Sequence, residues 1–322
     1  MSGEDDLIAR YFRPLATDPG ARGLVDDAAV LAASGSDLVL TTDAIVEGVH
    51  YLPDDPPASI ARKALRVNLS DLAAKGAAPA GFLLTLALRA ADESFLAPFA
   101  QALGEDAVNY QCPLLGGDTV STPGPMMISV TALGRVPPGR MVRRDALRPG
   151  DAIVVSGNIG DAALGLDLLQ GRVRAVSAAD RDYLVGRYRE PQPRLALASV
   201  LRAHASSGMD VSDGLAGDLA KMCTASGVTA TLDASAVPLS PAAQAMLSAG
   251  GTTLPRLLSG GDDYELLCGV AQHDVDSFLA ASQRSGVQVT VIGTASAGTA
   301  APQWRDAIGR ELSLTTLSFS HF

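Results

Sequence analysis

Aspartates recur in this 322-residue chain where the backbone is about to turn, and their neighbours suit metal and phosphate chemistry. They lie in GLVDDAAVL (Asp26, Asp27), LVLTTDAIVEGVH (Asp43), VNLSDLAAKG (Asp71), GGDT (Asp118), GMDVSDGL (Asp210, Asp213) and SGGDDYEL (Asp262, Asp263). Most adjoin Gly, Ser, Thr or Asn close to an apolar run. Carboxylates gathered from several elements repel one another unless a cation lies between them. Oxygen-only ligation suits a hard cation such as Mg²⁺, which commonly also holds phosphate oxygens of a bound substrate. The pattern points to a Mg²⁺-nucleotide site.

Taken singly, the segments differ in what they imply. Asp26-Asp27 alone is a weak signal and reads first as an ordinary acidic turn. Asp43 follows a buried-type strand over Leu38–Thr42, at the carboxyl end where α/β proteins tend to place ligands, and the Thr41 and Thr42 hydroxyls could share a cation with it. Asp71 sits in the penultimate turn of a helix over Ser59–Lys75, where the helix dipole disfavours negative charge. It flanks a Leu65, Leu69 and Leu72 stripe together with Asn68. The polarity of Asn68, Ser70 and Asp71 in a helix so rich in Ala and Leu favours function over a solvated surface. Gly116-Gly117-Asp118-Thr119 permits close backbone approach to a phosphate, or simply makes a hairpin turn. In Asp210-Val211-Ser212-Asp213-Gly214, Ser212 or Asp213 either caps the following helix or shares its N-terminus with phosphate and metal.

Four arginines, Arg140, Arg143, Arg144 and Arg148, offer guanidinium groups that match phosphate oxygens, or form a solvated basic linker. His50 follows Glu47-Gly48-Val49 and is not spaced with the other histidines as a metal site. Asn158-Ile159-Gly160-Asp161 resembles a phosphate loop. No G-x-x-x-x-G-K-[ST] occurs, so an ATP enzyme built this way is neither a P-loop protein nor a protein kinase.

The elements that must position these groups alternate between strand-like and helix-like patterns. In the first half the patterning predicts a helix over Glu4–Tyr11 and strands at Ala29–Ala32 and Leu38–Thr42. It continues with the Ser59–Lys75 helix, a strand at Phe82–Leu88, a helix at Ser94–Tyr110, a short strand Leu114–Leu115 and a strand at Met127–Gly134. Val136–Gly150, with three Pro, two Gly and four Arg, reads as an interdomain connection, dividing the chain into residues 1–148 and 149–322. The second half reads as strands at Ala152–Ser156, Met209–Val211, Val228–Leu232, Tyr264–Val270 and Val287–Ile292. Helices lie between them from Asp161, Ala178, Arg194, Asp213, Pro241 and His273. Small groups of alternating elements predict mixed α/β sheets rather than one doubly wound sheet.

Composition sets limits on partners. Hydrophobic content of 47% and charged content of 19% are ordinary for a globular protein. A net charge of −10 without a Lys/Arg cluster argues against nucleic-acid and anionic-membrane partners. The N-terminal MSGEDDLIAR is acidic and carries no apolar signal segment, and the three cysteines are far apart, so a reduced cytoplasmic protein is expected.

TTDAIVEGVHYL, KALRVNLSDLAAKGAAPAGFLLTLAL, GGDT, RPGDAIVVSGNIGDAALGL, MDVSDGL and SGGDDYELL, in this order and spacing, resemble the thiamine-monophosphate kinase family, which belongs to a wider group of ATP enzymes with aminoimidazole ribonucleotide synthetase and selenophosphate synthetase. The resemblance spans nearly the whole chain. It implies a two-domain α/β and α+β chain. The mixed α/β N-terminal domain would bind ATP and Mg²⁺ and pair its strands into a barrel shared across a homodimer; the C-terminal domain would be α+β. It also implies direct transfer of the ATP γ-phosphoryl to thiamine monophosphate. Carried over by motif, Asp26, Thr41, Thr42, Asp43, Asp71, Asp118, Asp210 and Asp213 would hold Mg²⁺, with Asp43, Asp71 and Asp118 central to catalysis. Gly117, Asp118, Arg144 and Ser212 would hold ATP, and His50, Asp262 and Phe319 the acceptor. Two positions depart from the family pattern: Val25 replaces a Gly before Asp26, and Phe319 stands where Trp or Tyr is usual. Asp27 and Asp263 receive no role. The competing readings are a synthetase of the same group acting on an aminoimidazole precursor, and a non-catalytic metal- or nucleotide-binding regulator.

Overall fold

Two units divide the chain: one of residues up to Leu72 with Ala77–Gly139, the other of Ala73–Gly76 with the chain from Arg140 onward. The structure is a computed structural model and describes residues 7–19, 21, 34–174, 177–314 and 317–318.

The first unit is built on β1 (Asp37–Val46), α1 (Pro57–Ala74), β2 (Ala78–Leu88), α2 (Glu93–Asn109), β3 (Leu114–Ser121) and β4 (Met127–Val136). Its four-stranded sheet has the order β1-β4-β2-β3. β4 runs antiparallel to both neighbours, whereas β2 and β3 are parallel and joined through α2. The period of two along each strand sorts the side chains. Val39, Ile45, Leu84, Leu86, Leu88, Ile128 and Val130 are buried, while Leu38, Leu40, Leu83 and Val120 stay exposed.

α1 begins at a proline, whose missing N–H costs nothing in a first turn. It ends at Gly76, at φ +67°, where the Ala77 amide reaches back to the Leu72 carbonyl at 2.8 Å and closes the last turn. A Cβ at Gly76 would lie 2.5 Å from the Arg202 side chain, so this position tolerates no larger residue. Leu65, Leu69 and Leu72 form the expected apolar stripe, all at 0% exposure.

The second unit contains β5 (Ala152–Ser156), α3 (Asp161–Leu169), α4 (Ala178–Arg189), α5 (Ala198–His204), β6 (Ala205–Val211) and α6 (Leu215–Ser226). It continues through β7 (Val228–Asp233), α7 (Pro241–Ser248), α8 (Leu254–Ser259), β8 (Glu265–Val270), α9 (Val275–Arg284), β9 (Val289–Ala297) and β10 (Gln303–Arg305). The sheet order is β10-β7-β9-β5-β8-β6, antiparallel except for the β10–β7 pair. β5 and β8 lie inside it and are buried along their whole length, whereas the edge strand β10 buries only Trp304. One core cluster joins Ile153, Val155, Leu215, Leu219 and Leu267; another joins Val154, Leu201, Leu266 and Phe278.

Several expectations are corrected. β1 continues to Val46, so Asp43 lies within the strand rather than beyond it. β3 runs through Gly116-Gly117-Asp118-Thr119, which is therefore not a hairpin turn. The helix expected from Arg194 is a 3-10 turn, Leu195–Leu197, followed by α5, and β6 takes over at Ala205 because its backbone pairs with β8. β9 starts and ends later than its apolar pattern suggests. α8 and β10 are too short to leave a periodic signal. The Ala29–Ala32 strand falls outside the described residues.

Candidate active site

In the first unit the candidate oxygen donors gather where β1 meets α1. Strand alternation turns Thr41 and Asp43 to one side and Thr42 to the other. The Thr41 hydroxyl donates to Oδ2 of Asp71 at 2.5 Å. The Asp43 amide donates to Oδ1 of Asn68 at 3.0 Å, and the Asn68 side-chain amide is held by the Ala64 carbonyl at 3.1 Å. Asn68 is fully buried and Asp71 half-buried, so the three-residue step along α1 sets a fixed amide beside a carboxylate that solvent and ligands can reach. The pairing explains why a helix of Ala and Leu carries these polar residues.

Thr42 does not join them. Its hydroxyl donates to the Val130 carbonyl at 3.2 Å and lies 3.0 Å from that of Thr131, on the opposite face. A single cation shared by the side chains of Thr41, Thr42 and Asp43 is therefore not what this strand presents. Asp118 also stands apart: it lies on β3, the sheet edge opposite β1, paired with Thr85 of β2. Three inter-strand steps of about 4.8 Å place β3 roughly 14 Å from β1. Gly117 is required by the sheet itself, since a Cβ there would overlap the Leu84 carbonyl.

His50 closes the turn that follows β1. The Val46 amide donates to Nδ1 at 3.0 Å, which makes that nitrogen the acceptor, and buried Lys63 donates to the His50 carbonyl at 2.8 Å. Beside it, Arg89 grips Glu47 with both guanidinium nitrogens, and the Met126 amide adds a third bond at 3.1 Å. The Arg89 hydrogen bonds hold the Glu47 carboxyl below its ordinary range.

In the second unit, Asp210 is the penultimate residue of β6 and is buried, and Ser212 and Asp213 follow the strand toward α6. Neither Ser212 nor Asp213 caps that helix; the cap is Gly214, at φ +116°. The helix's own Asp218 turns back instead, its Oδ2 accepting from the amides of Ser212 at 3.0 Å and Asp213 at 2.9 Å. Burial raises the Asp218 carboxyl, and Lys221, which bridges Asp218 and Asp213, counteracts this. Of the four arginines, Arg143 is engaged by Asp145, and Arg140 donates to the Arg202 carbonyl at 3.0 Å. Arg144 opens a 3-10 turn, its carbonyl accepting from Ser207 at 2.9 Å and Ser226 at 3.2 Å while its side chain is exposed.

Asp262 lies in the segment that leads into β8, its amide donating to the Ser212 carbonyl at 2.8 Å, so it adjoins the Asp210–Gly214 segment. Its neighbour Asp263 is buried and accepts from the amides of Gly160 at 2.7 Å and Ala162 at 3.2 Å. The N-terminus of α3, which resembles a phosphate loop in sequence, is thus already filled by the protein's own carboxylate. Asp161 is likewise internal, bonded to Tyr183 at 2.8 Å and Ser240 at 2.5 Å, and burial raises its carboxyl. Asp26, Asp27 and Phe319 lie outside the described residues.

The donors around Thr41, Asp43 and Asp71 are all oxygen, which fits Mg²⁺. That ion is usually bound by one or two carboxylates, with water and substrate phosphate completing its shell. Among the described residues no group of three or more His, Cys, Asp or Glu stands together as a metal cage. Sequence reasoning missed Lys63 and Glu265, whose partners lie at a distance along the chain, and Asp218, which folds back onto amides only five and six residues before it.

Comparison with known proteins agrees across both units. Residues 25–136 match the AIR synthase related protein N-terminal domain, and residues 148–303 the corresponding C-terminal domain. A thiamine-monophosphate kinase of Caulobacter vibrioides is 44% identical over 296 residues, covering 90% of this chain and 83% of that protein. The crystal structure of thiamine-monophosphate kinase from Stenotrophomonas maltophilia K279a is similar with a TM-score of 0.83 at 37% identity, over 93% of this chain and 94% of that one. AaThiL complexed with AMPPCP and TMP is similar with a TM-score of 0.78 at 29% identity, over 92% and 91% of the two chains.

Proposed function

We infer from the family to which the chain belongs, the thiamine-monophosphate kinases among the AIR synthase related proteins, that it phosphorylates thiamine monophosphate with ATP, making thiamine diphosphate and ADP. The observation on the molecule that carries this reading is the Thr41–Asp71 pair, with Asp43 anchored beside it through Asn68. It offers hard oxygen donors on two rigid elements.

In the proposed mechanism, Asp43 and Asp71, with Thr41, would hold Mg²⁺, and the ion would supply charge that offsets the repulsion between two phosphate-bearing reactants. Thr41 orients the Asp71 carboxylate, and Asn68 fixes the backbone at Asp43. A phosphate oxygen of the acceptor attacks the γ-phosphorus in line; the bond to the β–γ bridging oxygen breaks and ADP leaves. The acceptor phosphate is already ionised near pH 7, so no general base is needed. What the chain contributes is positioning and charge stabilisation. Gly117, Asp118, Ser212 and Arg144 are assigned to ATP, and His50, Asp262 and Phe319 to the acceptor. Asp26, Thr42, Asp118, Asp210 and Asp213 complete the proposed metal set, Thr42 through a group other than the hydroxyl it turns away.

A homodimer with a shared barrel is part of the proposal. Leu38, Leu40, Leu83 and Val120 expose apolar surface on a sheet whose edges are β1 and β3, which a second copy would cover. No helix among the described residues is long and apolar enough to cross a membrane. A cytoplasmic location is proposed with the function.

The deciding experiment is incubation with ATP, Mg²⁺ and thiamine monophosphate, followed by product identification. Thiamine diphosphate must appear, and unphosphorylated thiamine must fail as acceptor. Binding without turnover would favour a regulator, and turnover only with an aminoimidazole precursor would favour a synthetase.

A further inference from the structure

The turn before β8 holds two non-glycine residues in left-handed backbone, Asp262 at φ +73° and Tyr264 at φ +51°. L-residues avoid this region because Cβ crowds the following carbonyl, so surrounding bonds must hold them there. Their amides are tied to the carbonyls of Ser212 and Val211, each at 2.8 Å. The residue between them, Asp263, is pinned through its carboxylate to the amides of Gly160 and Ala162.

A buried ion-pair cluster lies behind the turn. Glu265 is at 0% exposure and accepts from Ser156 at 2.6 Å, from Arg187 at 2.9 Å and from Arg194 at 2.7 Å. Gly157, at φ +55°, has no room for a Cβ because the Glu265 carboxylate occupies that space. Arg187 Nη2 is shared between Oε1 of Glu265 and the Asp263 carbonyl, the latter at 3.3 Å. That carbonyl belongs to the peptide entering Tyr264, so one guanidinium ties the ion pair to the strained backbone.

We propose that Arg187, locked by Glu265, is a positioning residue for acceptor binding: it holds the Asp262–Tyr264 turn in its left-handed form and so presents the Asp262 carboxylate to thiamine monophosphate. The inference rests on the reading that Asp262 contacts the acceptor. Arg187 and Glu265 sit on α4 and β8 and are not in the proposed nucleotide-binding set; the segment they hold meets that set through the Ser212 carbonyl, which accepts from the Asp262 amide.

Two conservative variants test it. Arg187→Lys keeps the charge but loses the planar fork, and Glu265→Gln keeps the shape but loses the charge. Because small misplacements of a binding group are costly, each should raise the KM for thiamine monophosphate at least about ten-fold, with the KM for ATP within about two-fold. Hydrogen exchange supplies a readout independent of activity: the amides of Asp262 and Tyr264 should exchange at least about ten-fold faster in the variants, with β9 unchanged. Equal rises in both KM values, or unchanged exchange at these amides, would overturn the proposal. If neither variant folds, the wild-type protein still decides, since these amides must be protected as well as those of β8, and loop-like exchange would refute the device. Asp262→Asn separates the premise: an unchanged acceptor KM there removes Asp262 from the acceptor site, and exchange alone then judges the positioning.

Discussion

The Thr41 hydroxyl donates to the Asp71 carboxylate at 2.5 Å, joining the middle of β1 to the last turns of α1. The bond compensates a carboxylate near the unfavourable end of a helix dipole, and keeps its other oxygen available for a metal. If Asp71 holds Mg²⁺, Asp71→Asn should lower turnover at least about 100-fold, as loss of a preorganised charge at a transferring phosphoryl group does. Circular dichroism and thermal midpoint should change little, because Asp71 is only half-buried. Retained turnover would remove Asp71 from the metal site.

Arg144 extends an exposed side chain from a backbone pinned by Ser207 and Ser226. Arg144→Ala should therefore weaken ATP without unfolding the chain, raising the ATP KM by about ten-fold or more, in line with a lost charge-assisted contact. The acceptor KM serves as the internal control, and equal effects on both would exclude a specific nucleotide role.

His50 is set by the Val46 amide at Nδ1, so the neutral ring carries its proton on Nε2. Nitrogen-15 spectra of histidine-labelled protein should show this tautomer, with the assignment made by loss of the signal in His50→Ala. Steady-state kinetics of that variant should show a raised KM for thiamine monophosphate and little change for ATP. An unchanged acceptor KM would leave His50 as a structural residue.

The Glu47 carboxyl is held low by the Arg89 hydrogen bonds, so its contribution to stability has a defined sign. The stabilisation is fully present above the unfolded carboxylate value of about 4.3 and is lost as pH falls through the depressed folded value. Urea midpoints measured between neutral and acid pH should fall less steeply for Glu47→Gln than for the wild type. Parallel curves would show that the pair contributes nothing measurable.

Burial pushes the thiols of Cys112 and Cys268 up to about 12 and that of Cys223 to about 11. The reactive species is the thiolate, so none should react readily with a thiol reagent in the native protein at neutral pH. All three should react after denaturation, since each is free and buried. Rapid native labelling at any of them would reveal an opening of its core.

Much of the chemistry was legible along the chain. Asp43 and Asp71 stood out because carboxylates adjoining apolar runs need a reason, and Asn68 because it is polar in an apolar helix. The longer strands and helices followed from periodicity, and the family from the order of its motifs. Only tertiary structure sorted the carboxylates. Asp218 folds back locally onto the start of its own helix, whereas Asp263 fills the N-terminus of a helix far earlier in the chain, with Gly160 a neighbour only after folding. Alternation on β1 separates Thr42 from Thr41, and strand order carries Asp118 to the opposite edge of its sheet. The amino-acid sequence determined which groups are available and on which elements. Register, sheet order and long-range hydrogen bonds decided which of them face a ligand, because side-chain direction and distant partners exist only once the elements have packed.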